Sequence, residues 1–274
     1  MSAPVERIVE AWPRVASVVH WAPAFEDGPG HDYPLSALPV SPESLSALNE
    51  EERAELALSL WIQYNRRTID AEEYIANPAI DWLCRDGDLP LTMELALMQT
   101  AVDERYHTYF HRLALKEALG RSFVEAPFVR SITVRELLAR QAECGAEWQR
   151  RLVQLAYAAV AEVSVNAFLE VLSKSSEIRA SNRELVHMHN ADESLHSVIF
   201  VEVVAHLLKS LPPEEAAFLV AEMERARDSF LKHDFSMYRE VFDAHGFSLE
   251  LITTHQMMSR DMSGVDELMA SVAR

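Results

Sequence analysis

The chain is 274 residues long, 49% apolar and formally −18 in charge, with only 7 glycines. An acidic balance with no basic cluster offers nothing to phosphates and excludes nucleic acid as a partner, while scarce glycine beside abundant Ala, Leu and Glu disfavours a turn-rich β architecture. The acidity carries no message about metals, because an acidic surface mainly aids solubility.

Residues 1–42 hold more than half of the 12 prolines. Continuous helix is excluded there, and an irregular, proline-rich N-terminal arm is predicted. Trp12, Trp21, Phe25 and Tyr33 give the arm rings with which to pack on the rest. The first ten residues include Glu6, Arg7 and Glu10 and no apolar leader, and no run of eighteen apolar residues occurs. A soluble, cytoplasmic chain without a membrane partner is expected.

Residues 43–274 read as a single all-α domain. Ser41-Pro42-Glu43 starts a short helix, with Ser at the cap and Pro at the first position. A longer helix is predicted over 50–76, stopping near Asn77-Pro78, then a short piece through Trp82 and Cys84 to the turn Arg85-Asp86-Gly87-Asp88. Further helices are predicted over 91–119, 133–172 and 181–211. Pro212-Pro213 then breaks the chain before helices over 214–245 and 249–262 and a frayed tail. Cys84 and Cys144 match no zinc or disulfide spacing and read as reduced thiols.

The pattern D-E-x-x-H occurs twice, as Asp103-Glu104-Arg105-Tyr106-His107 and Asp192-Glu193-Ser194-Leu195-His196. Glu and His three apart on a helix project from one face. One such pair is usually a solvated surface pair. Two from separate helices are how a helical bundle builds a two-metal carboxylate site in its interior.

The apolar stripes test whether these residues face inward. Leu97, Ala101, Glu104, His111 and Leu115 share a stripe with His107 beside it, and His111 reads as a packed or hydrogen-bonding neighbour of the site, a further ligand being the alternative. Glu162 sits where a leucine is expected in the series Leu152, Leu155, Ala159, Glu162, Asn166, Leu169. His189, Glu193 and His196 fall in one narrow sector, and Trp61, Asn65, Thr68, Glu72 and Ile75 share a face. Glu73 competes with Glu72, but its stripe contains Arg66. Several buried carboxylates need a counter-charge. Two cations supply it, and carboxylates with imidazoles suit iron or manganese. Asp103 and Asp192 are placed to accept the free N–H of a metal-bound histidine.

The order Glu72, Glu104-x-x-His107, Glu162, His189-x-x-x-Glu193-x-x-His196 resembles the p-aminobenzoate N-oxygenase family of non-haem diiron proteins, His189 being the distinguishing third histidine. Tyr64-Asn65-Arg66-Arg67-Thr68 with Glu72 and Asn77-Pro78-Ala79 also resembles that family's first ligand helix, which favours Glu72 over Glu73. The resemblance spans about residues 55–240. It implies a ferritin-like four-helix bundle with additional helices, two irons held by the seven residues, dioxygen activation, and oxidation of a small-molecule amine to a hydroxylamine, nitroso or nitro product in natural-product biosynthesis. Electrons would come from a reductase or other external donor, since no flavin or nicotinamide fingerprint occurs. A carboxylate on the substrate would suit Tyr64 or Arg67. C–H hydroxylation or desaturation on the same centre, and ferroxidase or storage activity, are the competing functions. Spare apolar faces would allow a homodimer.

Overall fold

The computed structural model describes residues 3–26, 28–124, 126–251 and 263–272. Among them every regular element is helical, with only isolated one-residue bridges, His31 to Ile178 and Val40 to Leu251.

The arm is more helical than its prolines suggested. Helix α1 (Ala3–Val15) and the short α2 (Ser17–His20) open the chain. Pro4 lies in the first turn of α1 and Pro13 in the last, so the only intrahelical bond lost is the one to the Val9 carbonyl. Gln99 Nε2 donates to that carbonyl instead, at 3.1 Å.

Helix α3 (Pro42–Ser46) is capped by Ser41, whose Oγ accepts the Ser44 N–H at 3.1 Å. Helix α4 (Glu50–Ala71) starts in a reciprocal cap. Asn49 Oδ1 accepts the Glu52 N–H at 3.0 Å, and Glu52 Oε2 accepts the Asn49 N–H at 2.8 Å.

The stop expected at Asn77-Pro78 does not occur. The chain widens into a π turn (Glu72–Ala76) and continues as α5 (Asn77–Asp86). Pro78 cannot donate to the Tyr74 carbonyl. Gln154 Nε2 takes over, reaching the Tyr74 and Ile75 carbonyls at 3.0 and 2.6 Å, while Asn77 Nδ2 donates to the Glu72 carbonyl at 2.9 Å.

Helix α6 (Leu91–Arg121) carries the first motif. The helix predicted over 133–172 is two, α7 (Ile132–Glu143) and α8 (Glu147–Lys174). Gln149 Oε1 accepts the N–H groups of Gly145 and Ala146 at 3.0 and 3.1 Å, a local cap that hydrophobic periodicity does not reveal. Helix α9 (Ala180–Ser210) carries the second motif. The stretch 214–245 also divides, into α10 (Pro213–Leu231) and α11 (Ser236–His245), with the Asp234 carboxylate accepting the Ser236 N–H at 3.0 Å. Gly246 closes α11 in the left-handed region, at φ 68°. Of the last predicted helix, residues 249–251 are extended, with Leu251 bridging to Val40, and 252–262 lie outside the described residues. The tail expected to fray is α12 (Ser263–Val272), packed on α8, α9 and α10.

Helices α4 and α6 pack as one pair and α8 and α9 as another, and the buried apolar side chains form two clusters. Along α4 the chain leaves the cluster of Leu56 and Trp61, passes Glu72, and enters that of Ile75 and Ile80; α9 runs the same way, from Leu185 past the second motif to Ile199 and Phe200. Helices α6 and α8 run oppositely, from Leu97 to Phe110 and from Leu155 to Leu169. Each pair is therefore antiparallel, and α7 lies in the crossover from α6 to α8. On all four helices the switch between clusters falls at the candidate ligands. The core is split by a polar layer.

Helix α8 is long and apolar enough to cross a membrane by composition, but most of it is buried and Glu162 lies within it. It is the central core helix.

Candidate metal centre

The polar layer contains Glu72, Glu104, His107, Glu162, His189, Glu193 and His196, all buried. Their ligand atoms fall into two groups, each within 4.8 Å: Glu72, His107, His189 and Glu193, and Glu104, Glu162, Glu193 and His196.

Glu193 belongs to both groups. Its Oε1 lies 3.4 Å from His107 Nδ1 and 3.0 Å from His189 Nε2, and its Oε2 lies 3.5 Å from His196 Nδ1. Glu104 spans the groups in the same way, Oε2 at 3.6 Å from His107 Nδ1 and Oε1 at 2.9 Å from His196 Nδ1. Glu72 and Glu162 face one group each, 3.4 Å from His189 Nε2 and 3.6 Å from His196 Nδ1. The π turn buries Glu72, whereas Glu73 points outward to Arg105 and Arg112, at 3.3 and 3.7 Å.

The donor set fits a pair of hard to intermediate cations. Both Glu104 oxygens, Glu162 Oε2, Glu193 Oε2, His107 Nδ1 and His196 Nδ1 are buried without a hydrogen-bond partner. Such atoms are costly unless something binds them, and these all converge on one place. Burial, reinforced by the neighbouring carboxylates, pushes the carboxyls of Glu72 and Glu162 well above the usual range. Against the same burial, surrounding carboxylates hold the imidazoles of His107 and His196 well above their ordinary value. Protein groups alone balance this site only with protons, which cations displace on binding.

The histidines of the cluster have defined orientations. His107 Nε2 lies 3.1 Å from Asp192 Oδ2, and His196 Nε2 lies 3.3 Å from Asp103 Oδ2. Each motif's Asp therefore receives the other motif's His. With a cation bound, each Nε2 would keep its proton for the aspartate and each Nδ1 would turn its lone pair to the centre.

His189 is oriented through a chain. Asn65 Nδ2 donates to the Trp61 carbonyl at 2.7 Å, so Asn65 Oδ1 is the acceptor for His111 Nδ1–H at 2.8 Å. His111 Nε2 then accepts from His189 Nδ1–H at 2.9 Å, leaving the His189 Nε2 lone pair for the centre. Burial, with His189 and His107 nearby, pushes the His111 imidazole well below its usual value, consistent with this neutral role. Asn65→Leu should weaken one of two bound metal ions about tenfold, and Asn65→Asp less, by calorimetric titration; equal affinities in all three proteins would show the chain to be inert.

A cavity of about 260 Å³ opens onto Glu72, Glu162, His189 and Glu193. Ile75, Val165, Phe168, Leu169 and Met237 line its apolar walls, and Tyr33, Tyr64, Arg67, Thr68, Asp234 and Tyr238 are among its polar residues. The Tyr64 hydroxyl is buried without a hydrogen-bond partner. Arg67 lines the cavity but is already engaged: Nη1 lies 3.2 Å from Asp234 Oδ2, Nη2 donates to Ser236 Oγ at 2.8 Å, and Nε to the Val129 carbonyl at 3.0 Å. Asp234 and Asn65's role in the histidine chain were missed by sequence reasoning. Asn65 did stand on an inward stripe, a signal of sorts; Asp234 gave none, because it lies in a break that periodicity bridged.

The family model of p-aminobenzoate N-oxygenase AurF matches residues 18–269. A 4-aminobenzoate N-oxygenase from Streptomyces thioluteus is 32% identical over 257 residues, covering 89% of this chain and 76% of that protein. With the cluster's geometry, these matches place the chain in the p-aminobenzoate N-oxygenase AurF family.

Proposed function

We propose that the protein is a non-haem diiron N-oxygenase acting on a small arylamine. Glu72, His107 and His189 would hold one iron and Glu162 and His196 the other, with Glu104 and Glu193 placed between the two groups. The observation that carries this reading is the convergence of exactly those buried donors into two overlapping groups that open onto a small cavity. The four-helix frame with one crossover is the ferritin-like arrangement. When bound, the iron pair supplies the oxidising power, activating dioxygen and delivering oxygen to the amine nitrogen with electrons from an external donor.

The chain's own residues do the rest. Ile75, Val165, Phe168, Leu169 and Met237 keep water from the reacting nitrogen and favour the neutral amine, whose lone pair is the nucleophile. The cavity is at the small end for ligand sites, which suits a single substituted ring. The relative's name points to an aminobenzoate; the Tyr64 hydroxyl, which lacks a partner, is the first group for its carboxylate, and Arg67 adds the N–H positions that Asp234, Ser236 and the Val129 carbonyl leave open. Arg67→Lys keeps the charge but loses the planar fork. It should raise KM for 4-aminobenzoate about tenfold, with less effect on an arylamine lacking the carboxylate; equal KM values would remove Arg67 from substrate binding.

The test is mass spectrometry of products from the iron-loaded protein given a reductant, labelled dioxygen and a panel of arylamines. Label on nitrogen is expected. Hydroxylation at carbon, or dioxygen consumption with no amine product, would replace this reading with a hydroxylase or a ferroxidase.

A further inference from the structure

The N-terminal arm touches the centre at two points. Trp12 Nε1 donates to Asp103 Oδ2 at 2.8 Å, across 91 residues of sequence. The Ser17 N–H donates to Asp192 Oδ1 at 3.1 Å, and its hydroxyl donates to Asp192 Oδ2, across 175 residues. These are the two aspartates that receive His196 and His107. Both carboxylates are buried, as is Ser17, while Trp12 is half-buried and closes the outer side of Asp103.

The arm is pinned so that these contacts keep their geometry. Gln99 of α6 caps the Val9 carbonyl, and the Tyr106 hydroxyl, within the first motif, donates to the Trp21 carbonyl. Trp21 also packs edge-on against Phe110, at 5.3 Å between centroids. Trp12 and Ser17 both precede residue 18, where the match to the family model begins.

The geometry points to Trp12 and Ser17 as positioning residues of the metal centre, each governing one metal through an Asp–His pair. Trp12 acts through Asp103 on His196, in the group of Glu104 and Glu162. Ser17 acts through Asp192 on His107, in the group of Glu72 and His189. A carboxylate that takes a second hydrogen bond is fixed in rotamer, and it in turn fixes the imidazole's ring angle and tautomer. The arm thus serves the two metals separately, although it is one segment. This inference rests on the diiron reading above.

Calorimetric titration with ferrous iron under argon, and with cobalt(II) for its visible ligand-field spectrum, tests it in the full chain. The native protein should bind two ions. Trp12→Phe and Ser17→Ala should each weaken one ion by about ten- to hundredfold and leave the other. The two variants should alter different parts of the cobalt spectrum, the double variant should weaken both ions, and Ser17→Thr should restore the native titration. Trp21→Phe removes a different arm hydrogen bond, from Trp21 Nε1 to Glu184 at 3.2 Å, and serves as the control for arm docking. Native affinity in Trp12→Phe and Ser17→Ala, or an equal loss in Trp21→Phe, would overturn the inference. A native chain that fails to bind two ions would instead overturn the diiron reading itself.

Discussion

Glu193→Leu is expected to abolish retention of both metal ions and all amine oxidation. Glu193 is common to both donor groups, one oxygen facing His107 and His189 and the other His196. Its loss leaves each ion short of one anionic ligand. Glu72→Leu and Glu162→Leu, whose carboxylates face one group each, should retain about one ion. Glu72→Leu and Glu162→Leu should also raise the stability of the metal-free protein, because burial and the neighbouring carboxylates oppose ionisation of both. Four carboxylates at the centre are buried, each costing several kcal/mol unless compensated, and leucine adds apolar packing between two hydrophobic clusters. Metal analysis and melting curves test this. The expected order of melting temperature is loaded native protein, then metal-free Glu162→Leu, then metal-free native protein. Two ions retained by Glu193→Leu would sink the bridging role.

Asp32→Asn is expected to cost the fold about 3 kcal/mol at neutral pH, the lower end for breaking a buried ion pair. Asp32 joins the arm to the far ends of two ligand helices. It accepts from Arg121 Nη1 and Nη2 at 2.9 and 2.6 Å, from Arg179 Nη1 at 3.1 Å, and from Asn182 Nδ2 at 3.1 Å. Glu117 lies 2.7 Å from Arg121 and 3.6 Å from Arg179, so both arginines keep one anion in the variant, which is why the lower figure applies. Burial opposes ionisation of Asp32, but Arg121 and Arg179 outweigh it and hold the carboxyl below the usual range. A depressed folded-state pKa means the stabilisation is complete above the unfolded value, about 4, and is lost as pH falls through the folded one. The gap between native and variant in urea denaturation should therefore be wide at pH 7 and narrow towards pH 3. A gap independent of pH would show that shape, not charge, holds this junction.

The helices and the seven donors were legible in the sequence because both depend on one signal, a charged residue interrupting an apolar stripe. Glu162 in a leucine position and the paired Glu and His spacings read directly as inward-facing groups. Failures came where a side chain, distant in sequence for Gln154 and Gln99 and local for Gln149, repairs a broken backbone. Gln154 satisfies carbonyls beside Pro78, Gln99 caps Val9, and Gln149 starts α8. No local pattern announces such partners, so Pro78 read as a stop, Pro13 as a bar to helix and Gly145 as nothing. The histidine orientations were half legible. The aspartates' role could be inferred from position, but the exchange between motifs is a property of the packed pair of helices alone.

That exchange has the form of a two-fold operation. Asp103 of the first motif meets His196 of the second, Asp192 of the second meets His107 of the first, and Glu104 and Glu193 both span the centre. An isologous contact in a symmetric dimer has this form, residue i meeting j while j meets i. A single helix carrying D-E-x-x-H cannot finish its own site, yet two copies related by an axis through the shared carboxylates could. The asymmetry of the present centre then resides in what lies off the axis. His189 and the Asn65–His111 chain serve only one metal, and an indole on one side faces a hydroxyl on the other. Those departures make the two donor groups chemically unequal, so that two identical cations placed there would differ in affinity.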